Sequence, residues 1–322
     1  MKKLFAVFAI LGLLAIILPA CSPSEAAKKK TKKLTVAFCQ TGVSNAWRLA
    51  ETNSIQAEAK KRGYNLIYTD ANEDTSKQVS DVEDVIAKKP DVILLTPREV
   101  DGLAPALAAA KRARIPVVLI DRSCKGVAGV DYVTLICADF VWEGRTGAQA
   151  LVKKFGTEKP VNVVQIAGTP GASSTIDRQK GFETEIAKYP NFKIIATQDG
   201  EYVRAVAQKA MENIIQSYGK KINAVFGHDD ECAIGAIQAL KAAGMKPGAE
   251  VQVVGVGGFK DAAVAIQAQE MLGTVLCSPF FGPVAFDTAE KIVAKEKVPA
   301  YIQNPGYLIE KRNVAEYLPK AF

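Results

Sequence analysis

The chain has 322 residues, 48% hydrophobic and 23% charged, with a formal net charge of +7. Seven lysines and one glutamate fall in residues 1–33, which leaves the remainder near neutral at +1. That balance argues against nucleic acid as a partner, and the length exceeds what one hydrophobic core usually serves, so two lobes are expected.

Residues 1–20 read as a leader. Lys2 and Lys3 precede an apolar run, 4–18, too short and too sharply ended to span a bilayer. It closes with Leu18-Pro-Ala-Cys21, a pattern that resembles a lipobox, in which the cysteine is acylated and becomes the mature N-terminus. An ordinary secretory leader with a chance cysteine is the other reading, and both export the protein. Residues 21–33 carry lysines at 28, 29, 30, 32 and 33. They read as a solvated tether that can lie against anionic headgroups. Five further cysteines remain, Cys39, Cys124, Cys137, Cys232 and Cys277, an odd number without a C-x-x-C spacing. Buried free thiols are the default, and Cys124, in a Gly-rich loop, is the one expected to be exposed. No disulfide follows.

From residue 34 the elements alternate. Strands are expected at 34–38, 66–68, 91–95 and 117–120, and helices at 46–62, 75–89 and 100–114. Gly63 ends the first helix, and Val79, Val82, Val85 and Ile86 recur at helical spacing in the second. This β-α-β-α-β-α-β order is that of a doubly wound parallel sheet. Residues 132–139 form a crossing. The pattern then repeats, with strands at 161–166, 192–197, 222–226 and 251–256 and helices at 173–188, 202–218, 231–243 and 260–269. Two similar halves in succession mean two similar lobes. A strand at 274–277, a helix at 280–295 and a last stretch at 307–310 suggest that the chain returns to the first lobe and then to the second.

The stretch Ile115-Pro-Val-Val-Leu-Ile-Asp-Arg122 organises the rest. An unalternated apolar run suits a strand buried on both faces. Open α/β sheets bind ligands beyond the carboxyl ends of their strands, where Asp121 and Arg122 fall. A carboxylate beside a guanidinium offers acceptors and a fork of donors, as a polyhydroxylated ligand needs. A loop ion pair is the plainer alternative.

Three stretches carry a resemblance: that one, Gly168-Thr-Pro-Gly-Ala-Ser-Ser-Thr-Ile-Asp-Arg-Gln-Lys-Gly-Phe182, and His228-Asp-Asp-Glu-Cys-Ala-Ile-Gly-Ala236. With them the chain resembles type I periplasmic sugar-binding proteins, the substrate-capturing subunits of ABC importers. Gln40-Thr-Gly-Val-Ser-Asn-Ala-Trp-Arg-Leu-Ala-Glu-Thr52 makes it most similar to the galactofuranose-binding branch. The resemblance implies two lobes joined by a three-crossing hinge. On this chain the first lobe takes 34–138 and 278–304, and the second takes 139–277 and 305–322. It implies a monosaccharide captured between the lobes, a membrane permease as partner, a monomer, no cofactor and no metal.

The implied ligand-binding residues all fall after strands. Trp47 and Tyr202 match positions where the family has aromatics, one from each lobe, to sandwich a sugar ring; core packing and a helix-start staple are their plainer readings. Arg48 stands ready to donate to hydroxyls or to face solvent. Asp121 and Arg122 match the family's Asp-Arg pair. Arg178 matches a ligand-contacting arginine, or pairs with Asp177 on a helix surface. Asp229 matches an Asn or Asp after the strand, with Asp230 as a helix cap. Thr96 occupies a position polar in some relatives. His228, the only histidine, reads as a neutral rim residue.

Two departures stand out. Gly257 replaces an aspartate of the Val-Gly-x-Asp-Gly pattern usual in relatives, and Cys277 replaces a polar hinge residue. A ligand less hydroxylated than a hexose, or one bound through water, follows from losing those partners. An enzyme is disfavoured. Gly255-Val-Gly-Gly258 lacks dinucleotide spacing, and neither a Walker loop nor a Gly-x-Ser-x-Gly elbow occurs. A repressor core of the same fold would carry an N-terminal helix-turn-helix where this chain has an export signal. A ligand-sensing subunit for a chemoreceptor or sensor kinase, or a binder of polyols or nucleosides, is the alternative function.

Overall fold

The fold is known from a computed structural model that describes residues 33–322. Cys21, the leader and most of the tether lie outside the described residues.

The first half runs β1 (Thr35–Gln40), α1 (Ala46–Arg62), β2 (Asn65–Asp70), α2 (Thr75–Ala87), β3 (Val92–Leu95), α3 (Ala104–Ala113), β4 (Val117–Ile120) and β5 (Thr134–Cys137). The second runs α4 (Phe140–Phe155), β6 (Val161–Ala167), α5 (Ser173–Ile186), β7 (Phe192–Asp199), α6 (Arg204–Tyr218), β8 (Ala224–Gly227), α7 (Asp230–Ala242), β9 (Gln252–Gly257), α8 (Lys260–Gln267) and β10 (Gly273–Leu276). The chain closes with α9 (Gly282–Val293), β11 (Tyr301–Gln303), β12 (Leu308–Glu310) and α10 (Val314–Tyr317).

The strands form two six-stranded sheets, ordered β11-β5-β4-β3-β1-β2 and β12-β10-β9-β8-β6-β7. All pairs are parallel except β12 on β10. These are the two doubly wound α/β lobes expected from the sequence. β3, β4 and β8 are buried along their whole length, as strands covered by helices on both faces must be. In the second lobe Phe182 stacks on Phe226 with ring centroids 4.2 Å apart. The chain passes between sheets three times: after β5, after β10, and between β11 and β12. Asn304 ties two of these passages, its amide donating to the Cys137 carbonyl and its Nδ2 to that of Ser278, both at 2.8 Å.

Several expectations needed correction. The helix expected over 202–218 starts at Arg204, and that expected over 100–114 starts at Ala104. Helix α4 was not foreseen. Its two glycines, Gly144 and Gly147, argue against a helix by propensity, and packing against α5 outweighs them. Cys124 is buried, because its loop folds over the Leu107 side of α3, so all five described cysteines are buried free thiols.

Candidate functional site

The carboxyl ends of the parallel strands of both sheets face one another. Hydrogen bonds cross between the lobes there. Asn45 Nδ2 donates to the Tyr202 carbonyl at 3.2 Å, the Ser123 amide to Ser173 Oγ at 3.0 Å, and the Val100 amide to the Gly171 carbonyl at 2.9 Å. Behind them lies a cavity of about 350 Å³, its mouth included.

The first-lobe wall is built from α1 and the end of β4. Asn45 caps α1, its Oδ1 accepting from the Arg48 amide at 3.0 Å, while Gly63 ends the helix in the left-handed conformation. This fixes Trp47 and Arg48 in the opening turn. The Trp47 indole N–H donates to the Cys277 carbonyl at 2.7 Å, which satisfies its polar edge. Arg48 is buried rather than facing solvent, and bonds Glu51 and Asp121, both at 2.8 Å. Burial works against its charge, but Asp121 and Glu51 more than offset this and raise its pKa. Glu51 accepts also from Gln40 Nε2 at 2.9 Å and from the Thr96 hydroxyl at 3.1 Å. Burial raises the Glu51 pKa against the pull of Arg48. Thr96 is therefore not on the cavity: it stands one layer behind and holds Glu51.

Asp121 has φ +62°, a left-handed conformation that aspartate adopts more readily than most residues. The turn aims Arg122 at the cavity. Arg122 donates to the Arg98 carbonyl at 2.8 Å, and its buried Nε has no hydrogen-bond partner, 3.7 Å from Asp121. Burial, then the like charge of Arg48, pushes its pKa down to about 10. It remains a cation at neutral pH.

The second-lobe wall comes from α5 and the turns after β7, β8 and β9. Arg178 is buried and does not pair with Asp177. It donates to Glu143 of α4 and to the His228 carbonyl, both at 2.8 Å. Tyr202 sits in the turn before α6, at φ +62°, instead of starting the helix. Its hydroxyl lies 2.9 Å from both Ser174 Oγ and Thr175 Oγ1, and its ring faces Arg122. Only a glycine fits beneath it, since a Cβ at Gly168 would fall 1.9 Å from the ring.

Of the two aspartates after β8, Asp229 takes both expected roles and Asp230 neither. Asp229 lines the cavity and also caps α7, accepting from the Cys232 amide at 2.8 Å. Asp230 turns away and bonds the turn after β9. Burial pushes them up to about 6 and about 7 respectively. His228 is fully buried, not at a rim. Burial, with Arg178 nearby, pushes it down to about 3, so the ring is neutral.

Of the residues singled out from sequence, the cavity brings together Trp47, Arg48, Asp121, Arg122, Arg178, Tyr202 and Asp229. Asn45, Ser174, Val256 and Phe259 also line it and were missed. Asn45 had a legible signal, an Asn one residue before an apolar-periodic helix. Among the described residues no cluster of His, Cys, Asp and Glu could hold a metal, and no helix is long and apolar enough to cross a membrane.

A two-lobed parallel α/β fold with a charged interlobe cavity defines the class. The profile of the periplasmic binding protein domain matches residues 36–297, and the chain belongs to that family. It is 38% identical to the galactofuranose-binding protein YtfQ of Escherichia coli strain K12, over 86% of this chain and 87% of that one. It is 34% identical to the ribose import binding protein RbsB of Bacillus subtilis strain 168, over 95% and 98%. Among solved structures, the periplasmic component of the arabinose ABC transporter from Shewanella sp. ANA-3, bound to α- and β-L-arabinofuranose, superposes with a TM-score of 0.85. That structure is 36% identical, covering 89% of this chain and 95% of its own.

Proposed function

We propose that this chain is the substrate-binding lipoprotein of an ABC sugar importer, capturing one monosaccharide between its lobes and passing it unchanged to a membrane permease. A furanose, such as galactofuranose or arabinofuranose, is the favoured ligand, from the similarity to proteins named for or solved with furanoses. The observation that carries the reading is the two-sided cavity. Its lining brings aromatic, cationic and anionic side chains from both lobes to one place, the mixture a ring with hydroxyls on its edge needs. Arg122 and Asp121 supply donors and acceptors from the first lobe, with Arg48 fixing Asp121. Trp47 from the first lobe and Tyr202 from the second supply aromatic rings to the lining, and Arg178 and Asp229 complete the polar set. Only a ligand that touches both lobes gains more from the closed state than from an open one. Export, acylation of Cys21 and a monomeric state complete the proposal.

The test is a thermal-shift panel of furanose-forming sugars, obligate pyranosides, polyols and nucleosides. A ligand that binds the folded state raises the midpoint by mass action. A shift with furanose-forming sugars supports the reading. A shift confined to polyols or nucleosides would replace the ligand class, and no shift at all would refute it. Cys21→Ser should release the protein from the membrane fraction; an unchanged distribution would refute the anchor.

A further inference from the structure

The cavity is polar on most sides and apolar on one. That side is the end of β9 and the turn after it, with Val256, Gly257 and Phe259 facing the cavity. Its side chains offer no hydrogen-bonding group. Its backbone amides are also committed: those of Gly258 and Phe259 both donate to Asp230 Oδ2, at 2.7 and 2.9 Å. Asp230 is held in turn by the Thr274 hydroxyl at 2.7 Å. The Gly257 carbonyl accepts from the Cys277 amide, the Gly258 carbonyl from the Tyr317 hydroxyl, and the Phe259 carbonyl from the Ala263 amide. Nor can a polar side chain enter at 257. A Cβ there would fall 2.5 Å from the Phe259 ring, and its φ of +140° disfavours any residue but glycine. Phe259 is pinned from behind by Phe322, with ring centroids 5.3 Å apart.

We propose that Val256, Gly257 and Phe259 form a specificity wall that selects a sugar whose facing edge bears no hydroxyl, such as a deoxy sugar or a ring edge that presents only C–H. The proposal rests on the sugar-binding reading above. A hydroxyl buried against this wall would lose its water and find no partner. A site that hydrogen-bonds a hydroxyl rejects the analogue lacking it by several orders of magnitude, whereas an apolar wall has no such bond to lose.

Calorimetric titration with matched pairs tests this: D-galactose against D-fucose, and D-ribose against 2-deoxy-D-ribose. In at least one pair the deoxy member should bind within about tenfold of its parent, or tighter. Phe259→Ser, which places a hydroxyl on the wall, should shift that pair's ratio toward the parent by about threefold or more. Should that variant not fold, Val256→Thr makes the same comparison at near-constant volume. Losses beyond tenfold for every deoxy sugar, or a ratio unmoved by a folded wall variant, would overturn the proposal. Failure of all parents and deoxy sugars alike to bind would instead refute sugar binding itself.

Discussion

Arg122 and Arg178 face the same cavity from opposite lobes, yet their charges are held in different ways. Arg178 is locked to Glu143 and to the His228 carbonyl, and these partners keep it firmly charged despite burial. Arg122 shares Asp121 with Arg48, sits 3.7 Å from it, and keeps a buried Nε without a partner. A buried donor without a partner costs free energy that a ligand oxygen can recover. The comparison separates a guanidinium that builds the wall from one that is held ready for a ligand.

Breaking the locked arginine should have the largest effect, and on folding. Arg178→Ala leaves Glu143 buried without its partner, a loss of about 3–5 kcal/mol in stability. Adding Glu143→Gln should recover part of it, as read by denaturant unfolding. A stable Arg178→Ala protein would contradict the assignment. Arg122→Ala should leave the fold nearly intact and weaken sugar binding by about 1–3 kcal/mol, roughly 5- to 150-fold in Kd. Tyr202→Ala should cost less, about 0.5–1.5 kcal/mol in binding, because stacking is the smaller contribution. Calorimetry of both variants checks the order, and equal or reversed losses would remove the distinction between the walls.

The smallest effect concerns Asp230, the carboxylate that consumes the amides of the apolar wall. Its folded-state pKa is raised to about 7, above the ordinary carboxylate value. Its ionisation therefore penalises the folded state above about pH 7, and the penalty fades as pH falls toward 4. Asp230→Asn should be more favourable relative to wild type at pH 8 than at pH 6, by roughly 1 kcal/mol. Melting curves at the two pH values decide it, and a pH-independent difference would contradict the raised pKa.

Much of this was legible in the sequence because parallel strands buried on both faces read as short apolar runs. Asp121 and Arg122 could be placed at a strand's end without coordinates. The helix α4, carrying Glu143, was not legible, since Gly144 and Gly147 lower its propensity and only contact with α5 explains it. Asp229 was rightly expected at the cavity, but its cap and the inward turn of Asp230 were hidden. Adjacent aspartates are equivalent caps by sequence, and the turn after β9, which engages Asp230, leaves the cap to Asp229. Tyr202 was placed correctly after its strand but assigned to a helix, because a left-handed tyrosine in a tight turn leaves no local signal.

The central claim is that one sugar is gripped by both lobes. Small-angle scattering, with and without the sugar that raises the melting midpoint most, tests it directly. The account predicts a smaller radius of gyration at saturation, as the two lobes close on the ligand. An unchanged radius at a concentration that saturates the thermal shift would contradict it.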